Sequence, residues 1–244
     1  MKHKSKNLPL YLVLITDLLS MIFALGPGIA GWGTSIYYLK SIWNHECFIW
    51  LALLTPLILI FSFLTAVVFL RLFIPKMRPG VYTMKFNKGF ASWYLTLNLG
   101  HAVRISGLQP FFFTFYTFKW LYWRAMGANI AFGINSSLFL TLVDFPLVTI
   151  KKGCSFGAYT HVACHTFVGD KLFLAPVVIE EDCYIGMEVT IGPKTTIGKG
   201  SWIGAGNRFM KNKLAPETVI NNFVWEYSNP ELKLNPHLHP STES

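Results

Sequence analysis

Two histidines, His161 and His165, stand four residues apart in the stretch "YTHVACHTFVGD", and of all residues in this chain they are the best suited to chemistry. A neutral imidazole has an ordinary pKa of about 6.5, so it can take up a proton near neutral pH and act as a general base. Imidazole is also a common zinc ligand, but zinc needs three or four ligands and this stretch supplies two. His165 is the candidate base, and His161 is its neighbour with a supporting role. Cys164 lies beside His165 and offers a thiol, although no third group to orient it is visible in the sequence.

The elements around this stretch show how it is held. Ile-Gly recurs every six residues, at 185, 191, 197 and 203 in "CYIGMEVTIGPKTTIGKGSWIGAGN". Six is neither the 3.6 of a helix nor the 2 of a simple strand, and it is the period of a parallel β-helix whose coils have three flat faces. Counting outward, Ile179, Ile185, Ile191, Ile197, Ile203 and Phe209 are expected to point inward and stack between coils. Cys183, Val189, Thr195, Ser201 and Asn207 take the small corner positions. An upstream run, Ile150, Phe156, Val162 and Val168, follows the same rule, with Cys154, Thr160 and Thr166 in its corners. From Val168 to Ile179 the spacing is eleven rather than twelve, which predicts a loop or irregular turn near "GDKLFLAPVV". His165 is thereby placed at a corner beside the interruption, projecting from the prism. The other histidines, His3, His45, His101, His237 and His239, fall outside the coils.

The first half of the chain is of a different kind. Residues 47 to 70 are uncharged and long enough to cross the roughly 30 Å hydrocarbon core of a bilayer. Residues 8 to 30 form a second apolar span interrupted by Asp17, which competes with a signal-peptide reading because it follows the basic start "MKHKSK". Lys2, Lys4 and Lys6 precede the first span and Arg71, Lys76, Arg78, Lys85 and Lys88 follow the second, whereas the loop between them carries only Lys40. The positive-inside tendency then puts both ends in the cytoplasm. The aromatic stretches "FASWYLTLNLG" and "PFFFTFYTFKWLYWR" suit an interfacial connector or an aromatic core beneath the coils. The expected organisation is a two-helix membrane anchor over 1–75, a connector over 76–130, a left-handed β-helix domain over 131–226 and a flexible tail over 227–244, making the fold mainly β.

Composition agrees with a membrane association. The chain is 52% hydrophobic and only 14% charged over 244 residues, too apolar for an ordinary soluble domain. Before Asp144 there are twelve Lys or Arg against two acids, and from Asp144 onward nine against ten. The positive charge therefore belongs to the membrane-facing half, where anionic headgroups account for it without nucleic acid. Four cysteines without a CxxC pair indicate neither a zinc ribbon nor a disulfide framework.

From about Pro79 to Glu226 the chain resembles the hexapeptide-repeat, left-handed β-helix acyltransferases. It is most similar to the membrane-linked terminal domains of polylysine-synthetase-type nonribosomal peptide synthetases. The residues that carry this are "RPGVY" at 78–82, "LYWRAMGANI" at 121–130, "CHTF" at 164–167 with "APVVIEEDCYIG" after it, and the hexads themselves. The resemblance implies transfer of an acetyl or similar group from an acyl-CoA to a hydroxyl or amine acceptor, with His165 in the place of the family's base. It implies a homotrimer with sites between subunits. It also implies that acetyl-CoA or another acyl-CoA lies along the C-terminal coils, with Lys211 and Lys213 near its phosphates and Gly204 and Ala205 as backbone contacts. Membrane anchoring points to an acceptor at the membrane surface, such as a lipid-linked sugar, a polysaccharide precursor or a peptide. The competing readings are a non-catalytic β-helix scaffold and, through the histidines, a zinc-dependent carbonic-anhydrase-like protein.

Overall fold

Short apolar strands cannot be stable alone, because one or two inward side chains bury too little surface, so the hexads have to stack. In the computed structural model, which describes residues 10–84, 87–137 and 139–221, they do so in three parallel sheets. The first sheet holds β2 (Asn129–Ile130), β5 (Val148–Ile150), β10 (Val177–Ile179) and β13 (Thr195–Ile197). The second holds β3 (Asn135–Ser136), β6 (Ser155–Phe156), β11 (Tyr184–Ile185), β14 (Trp202–Ile203) and β16 (Val219–Ile220). The third holds β4 (Thr141–Leu142), β7 (His161–Val162), β12 (Thr190–Ile191) and β15 (Arg208–Phe209). Successive strands visit the sheets in rotation, and Ile150, Ile179 and Ile197 stand in register in the first. Ile179, Ile185, Ile191, Ile197 and Ile203 are fully buried, so the inward column expected from the hexads is present.

The corner rules hold for physical reasons. A Cβ on Gly186 would lie 2.6 Å from the backbone nitrogen of Ala205, so the glycine is there because the next rung passes too close for a side chain. Cys183, Val189, Thr195 and Ser201 are buried in the small corner slots. Asp182, Glu188 and Lys194, each three residues before an inward isoleucine, take positive φ of 57–60° and turn the chain at each corner.

Val168 departs from the expected pattern. It is 62% exposed, because the chain leaves the stack at His165 as a hairpin of β8 (His165–Val168) and β9 (Lys171–Leu174). The two-residue turn Gly169–Asp170 has Gly169 at φ 61°, as a primed hairpin turn requires. The pairing offset from β5 to β10 is 29 residues against 18 from β10 to β13, so the hairpin is an eleven-residue excursion. The "RPGVY" segment supplies β1 (Gly80–Thr83), which pairs antiparallel with β9 and makes the excursion three-stranded.

The N-terminal half is helical. Its elements are α1 (Leu10–Ile42), α2 (Phe48–Ala52), α3 (Thr55–Leu72), α4 (Lys88–Ile105), α5 (Gln109–Thr114) and α6 (Tyr116–Ala125). The stretches Ile15–Ile42 and Phe48–Leu72 are long and apolar enough to cross a membrane, and only 28% and 22% of the most apolar 18 residues in each are buried. Hydrogen bonds tie α1 to α4: Ser20 and Tyr94 share one of 2.6 Å, and Trp32 Nε1 donates to the Ser106 carbonyl. At the open first rung, Trp120 donates to the Ile130 carbonyl and the buried Lys119 to Ser136 Oγ at 2.8 Å. Burial lowers the Lys119 pKa. One continuous apolar core therefore runs from the helices into the stack. Lys2, Lys4, Lys6, Lys85 and the segment 227–244 lie outside the described residues.

Candidate active site

Two irregularities in the repeat fall at the same corner on successive rungs. Between β4 and β5 the corner carries two extra residues, since β2 and β5 pair at an offset of 20 where β10 and β13 pair at 18. One rung later, between β7 and β10, the hairpin leaves the stack. The first insertion delivers Asp144 and the second delivers His165.

Asp144 follows β4 with φ 57°, a left-handed conformation that Asp tolerates better than most residues. A short 3-10 turn, Phe145–Leu147, begins immediately after it with Pro146 in its first turn. The Asp144 side chain is wholly buried, while that of His165 keeps 20% exposure. Asp144 Oδ2 lies 2.6 Å from His165 Nδ1 and accepts the backbone N–H of Cys164 at 2.9 Å. A buried carboxylate needs such donors to offset its lost hydration. With the carboxylate as acceptor, the Nδ1 proton is held inward and Nε2 is the ring nitrogen left for a substrate.

Asp144 Oδ1 has no hydrogen-bond partner, and a cavity of about 20 Å³ beside it, of single-water size, is lined by Gly100, His101 and Arg104 of α4. From the same helix Trp93 meets the His165 ring edge-on at 5.2 Å and also contacts Phe167. The imidazole is thus fixed by a carboxylate at one nitrogen and by an indole on its flank.

His161 lies on β7 between Thr141 and Thr190, with Val162 turned inward. It is half-buried, and burial, followed by His165, holds its pKa below the usual imidazole value, with Asp144 opposing. His101 is lowered in the same way, by burial and then by Arg104. A lowered folded-state pKa means that the unfolded chain binds protons more readily, so this contribution to stability is full above about pH 6.5 and is lost as pH falls. The melting temperature is therefore expected to drop between about pH 7.5 and about 5.5, and His161→Gln to reduce that drop, in a pair of thermal melts. An equal drop in both proteins refutes the assignment to His161.

Cys164 is fully buried, and burial, with Asp144 adding to it, raises its thiol pKa well above the ordinary value. It therefore stays protonated and is no nucleophile near neutral pH. Among the described residues no three His, Cys, Asp or Glu side chains gather as a metal site would require.

The four residues expected near a coenzyme divide between two corners. Gly204 and Ala205 follow β14, whereas Lys211 and Lys213 follow β15. Lys211 stands on the same corner as Asp144 and His165, two rungs beyond His165, and its Nζ lies 5.3 Å over the Phe173 ring of the hairpin. Its backbone N–H donates to Pro193, and that of Lys194 to Pro176, so this corner forms a continuous column below the hairpin. Lys211 is brought to the side of His165's hairpin, and Gly204 and Ala205 are not.

Asp144 and Trp93 were not identified from the sequence. The signal for Asp144 is in the spacing, since inward residues 130, 136 and 142 follow the hexad rule but the next is 150 rather than 148. Trp93 has no such signal, because it reaches His165 from a helix about 70 residues earlier in the chain.

No protein-family description matches this chain, and no curated protein does. Among solved structures, a galactoside acetyltransferase in complex with coenzyme A is 26% identical over 39% of this chain and 52% of its own, with a TM-score of 0.33. The chain thus spans about half the length of that protein. A hexapeptide-repeat-containing acetyltransferase from Vibrio cholerae, complexed with acetyl-CoA, is 16% identical over 65% and 81%, with a TM-score of 0.32. A serine acetyltransferase from Brucella abortus is 14% identical over 84% of each chain, with a TM-score of 0.32. The structural neighbours are acetyltransferases, and with TM-scores at this level the functional reading rests on the site's own geometry.

Proposed function

We propose that this chain is a membrane-anchored acyltransferase that moves an acetyl or similar group from an acyl-CoA to a hydroxyl or amine acceptor, with His165 as general base. The observation that carries this reading is the 2.6 Å contact of the buried Asp144 carboxylate with His165 Nδ1. It holds the ring through Nδ1 and leaves Nε2 as the nitrogen for proton abstraction.

Acyl-CoA supplies the activated thioester. The acceptor oxygen or nitrogen attacks the thioester carbonyl while His165 Nε2 removes its proton, and the carbon–sulfur bond then breaks. The departing thiolate takes that proton from the imidazolium, leaving the acylated acceptor and free thiol in balance. Asp144 stabilises the transient imidazolium. Lys211 and Lys213 provide cations for the cofactor's phosphates, with Gly204 and Ala205 as backbone contacts.

In this reading the three parallel sheets form a left-handed β-helix, and three copies assemble with sites between them, as the sequence resemblance implies. The tie to the terminal domains of polylysine-synthetase-type proteins rests on that resemblance alone. The exposed apolar faces of α1 and α3 support membrane spans. The Lys and Arg clusters on either side support a cytoplasmic β-helix domain. The hydrogen bonds between α1 and α4 favour a retained anchor over a cleaved signal.

The direct test is calorimetry with acetyl-CoA on the full chain in detergent. Saturable binding by both the parent and His165→Ala is expected, because His165 acts on the acceptor. Absence of binding by the parent refutes an acetyl-CoA-dependent transferase.

A further inference from the structure

Where α3 ends, a cavity of about 730 Å³ opens between that helix, α4, α6 and the 3-10 turn after Asp144. Its volume is in the range of small-molecule sites, roughly 300–1,000 Å³. Val68, Leu72 and Ile74 give it an apolar wall, and Arg71, Lys76 and Arg124 give it three cations. Among the described residues none of the three has a carboxylate partner, since the ion pairs present involve Lys151, His165 and Lys199.

Arg71 is the most constrained of them. It is half-buried, and its Nη1 donates to the Ala125 carbonyl at 2.9 Å. Its guanidinium packs against Gly127, which has φ 94°, and a Cβ there would collide with it. A cation at the last turn of a helix often serves only its own helix dipole. Here the guanidinium donates instead to the last residue of α6. A partly desolvated guanidinium with two exposed cations beside it calls for an anion, and phosphate oxygens match its fork of donors.

The location selects the kind of phosphate. The apolar stretch of α3 ends at Leu72, so Arg71 and Lys76 bracket the end of a helix able to cross a bilayer. That is the depth of lipid headgroups, and the apolar wall continues along the same helix. We infer that this cavity binds the phosphate or diphosphate head of a membrane lipid, with Arg71, Lys76 and Arg124 on its oxygens and the first methylenes along Val68 and Leu72.

Two walls are shared with the catalytic pair. Thr96 lines the cavity one turn after Trp93 on α4, and Pro146 lines it two residues after Asp144. On the transferase reading, which this step rests upon, the bound lipid is the carrier of the acceptor, and the acceptor class is a phosphate-linked lipid.

The test uses the full chain in a neutral detergent, with melting temperature read against dioctanoyl phosphatidate, dioctanoylglycerol and glycerol phosphate. Phosphatidate is expected to raise it saturably, with the other two weaker by about tenfold or more. Lys76→Gln with Arg124→Gln is expected to weaken phosphatidate by about tenfold or more. Both side chains are exposed, so the unliganded melt checks that the fold persists, and Lys76→Gln alone gives a milder second variant. Equal stabilisation by dioctanoylglycerol, or unchanged phosphatidate binding by the double variant, overturns the site. Equal potency of glycerol phosphate overturns the lipid assignment in favour of a soluble phosphate. Acetyl-CoA titrated into the same samples separates the two proposals. Phosphatidate binding without acetyl-CoA binding keeps the lipid site and removes the acetyl-CoA-dependent transferase, and the converse removes the lipid site alone.

Discussion

Alanine at His165 is expected to lower acyl-transfer turnover by a factor of roughly 10² to 10⁴, with acetyl-CoA affinity unchanged. The range is that of a positioned general base, and the geometry supports its use. Nδ1 is occupied by a fully buried carboxylate, Trp93 closes one flank, and 20% of the side chain remains accessible. Truncation leaves the stack intact, since His165 lies outside the inward columns and its neighbour Cys164 stays anchored through its own backbone N–H. The measurement is transfer of radiolabelled acetyl from acetyl-CoA into isolated membranes, comparing parent and variant. An unchanged rate removes His165 from the mechanism.

Asp144→Asn is expected to lower the same turnover by about tenfold or more, without loss of acetyl-CoA binding and with at most a modest change in melting temperature. Position 144 has φ 57°, and Asn adopts that region as readily as Asp, so the backbone is not strained by the change. The chemistry does change. A neutral amide stabilises an imidazolium less than a carboxylate does. Its NH₂ group has two poor placements. At the Oδ1 position it is buried without a partner. At the Oδ2 position it faces the Cys164 N–H and turns the histidine to the tautomer protonated on Nε2, the wrong one for a base. Asp144→Ala is more disruptive, because it also leaves the buried Cys164 N–H unpaired at a cost of about 1–3 kcal/mol. The ratio of Asn to Ala effects on turnover and on melting temperature separates orientation from stability. Turnover equal to the parent in Asp144→Asn refutes the role given to the carboxylate.

These expectations depend on how the repeat is interrupted, and the interruptions were only partly legible. The slip is visible in the sequence as the spacing of eleven from Val168 to Ile179, yet the chain leaves the stack already at His165, so Val168 lies on the hairpin and not in a rung. A residue that alternates on a hairpin and one that points into a rung look alike over a single hexad. The two-residue excess at Asp144 is smaller and falls where no Ile-Gly pair marks the phase. The residues expected near a coenzyme lie close together along the last coils in sequence, whereas Gly204 and Lys211 sit on different corners, because one hexad carries the chain from one face to the next.

The sequence by itself determined the periodic body and the apolar spans. An inward isoleucine every sixth residue, a glycine where the next rung passes within 2.6 Å, and uncharged runs of bilayer length are local rules that each residue obeys independently. Tertiary structure alone decided what gathers around His165. Asp144 and His165 are 21 residues apart in sequence and meet only because two insertions of different length stack at one corner. Trp93 joins them only because α4 packs across that corner, and Arg71, Lys76 and Arg124 converge only where α3 ends against α6. Such meetings are set by packing between distant segments, and no local pattern in the chain encodes them.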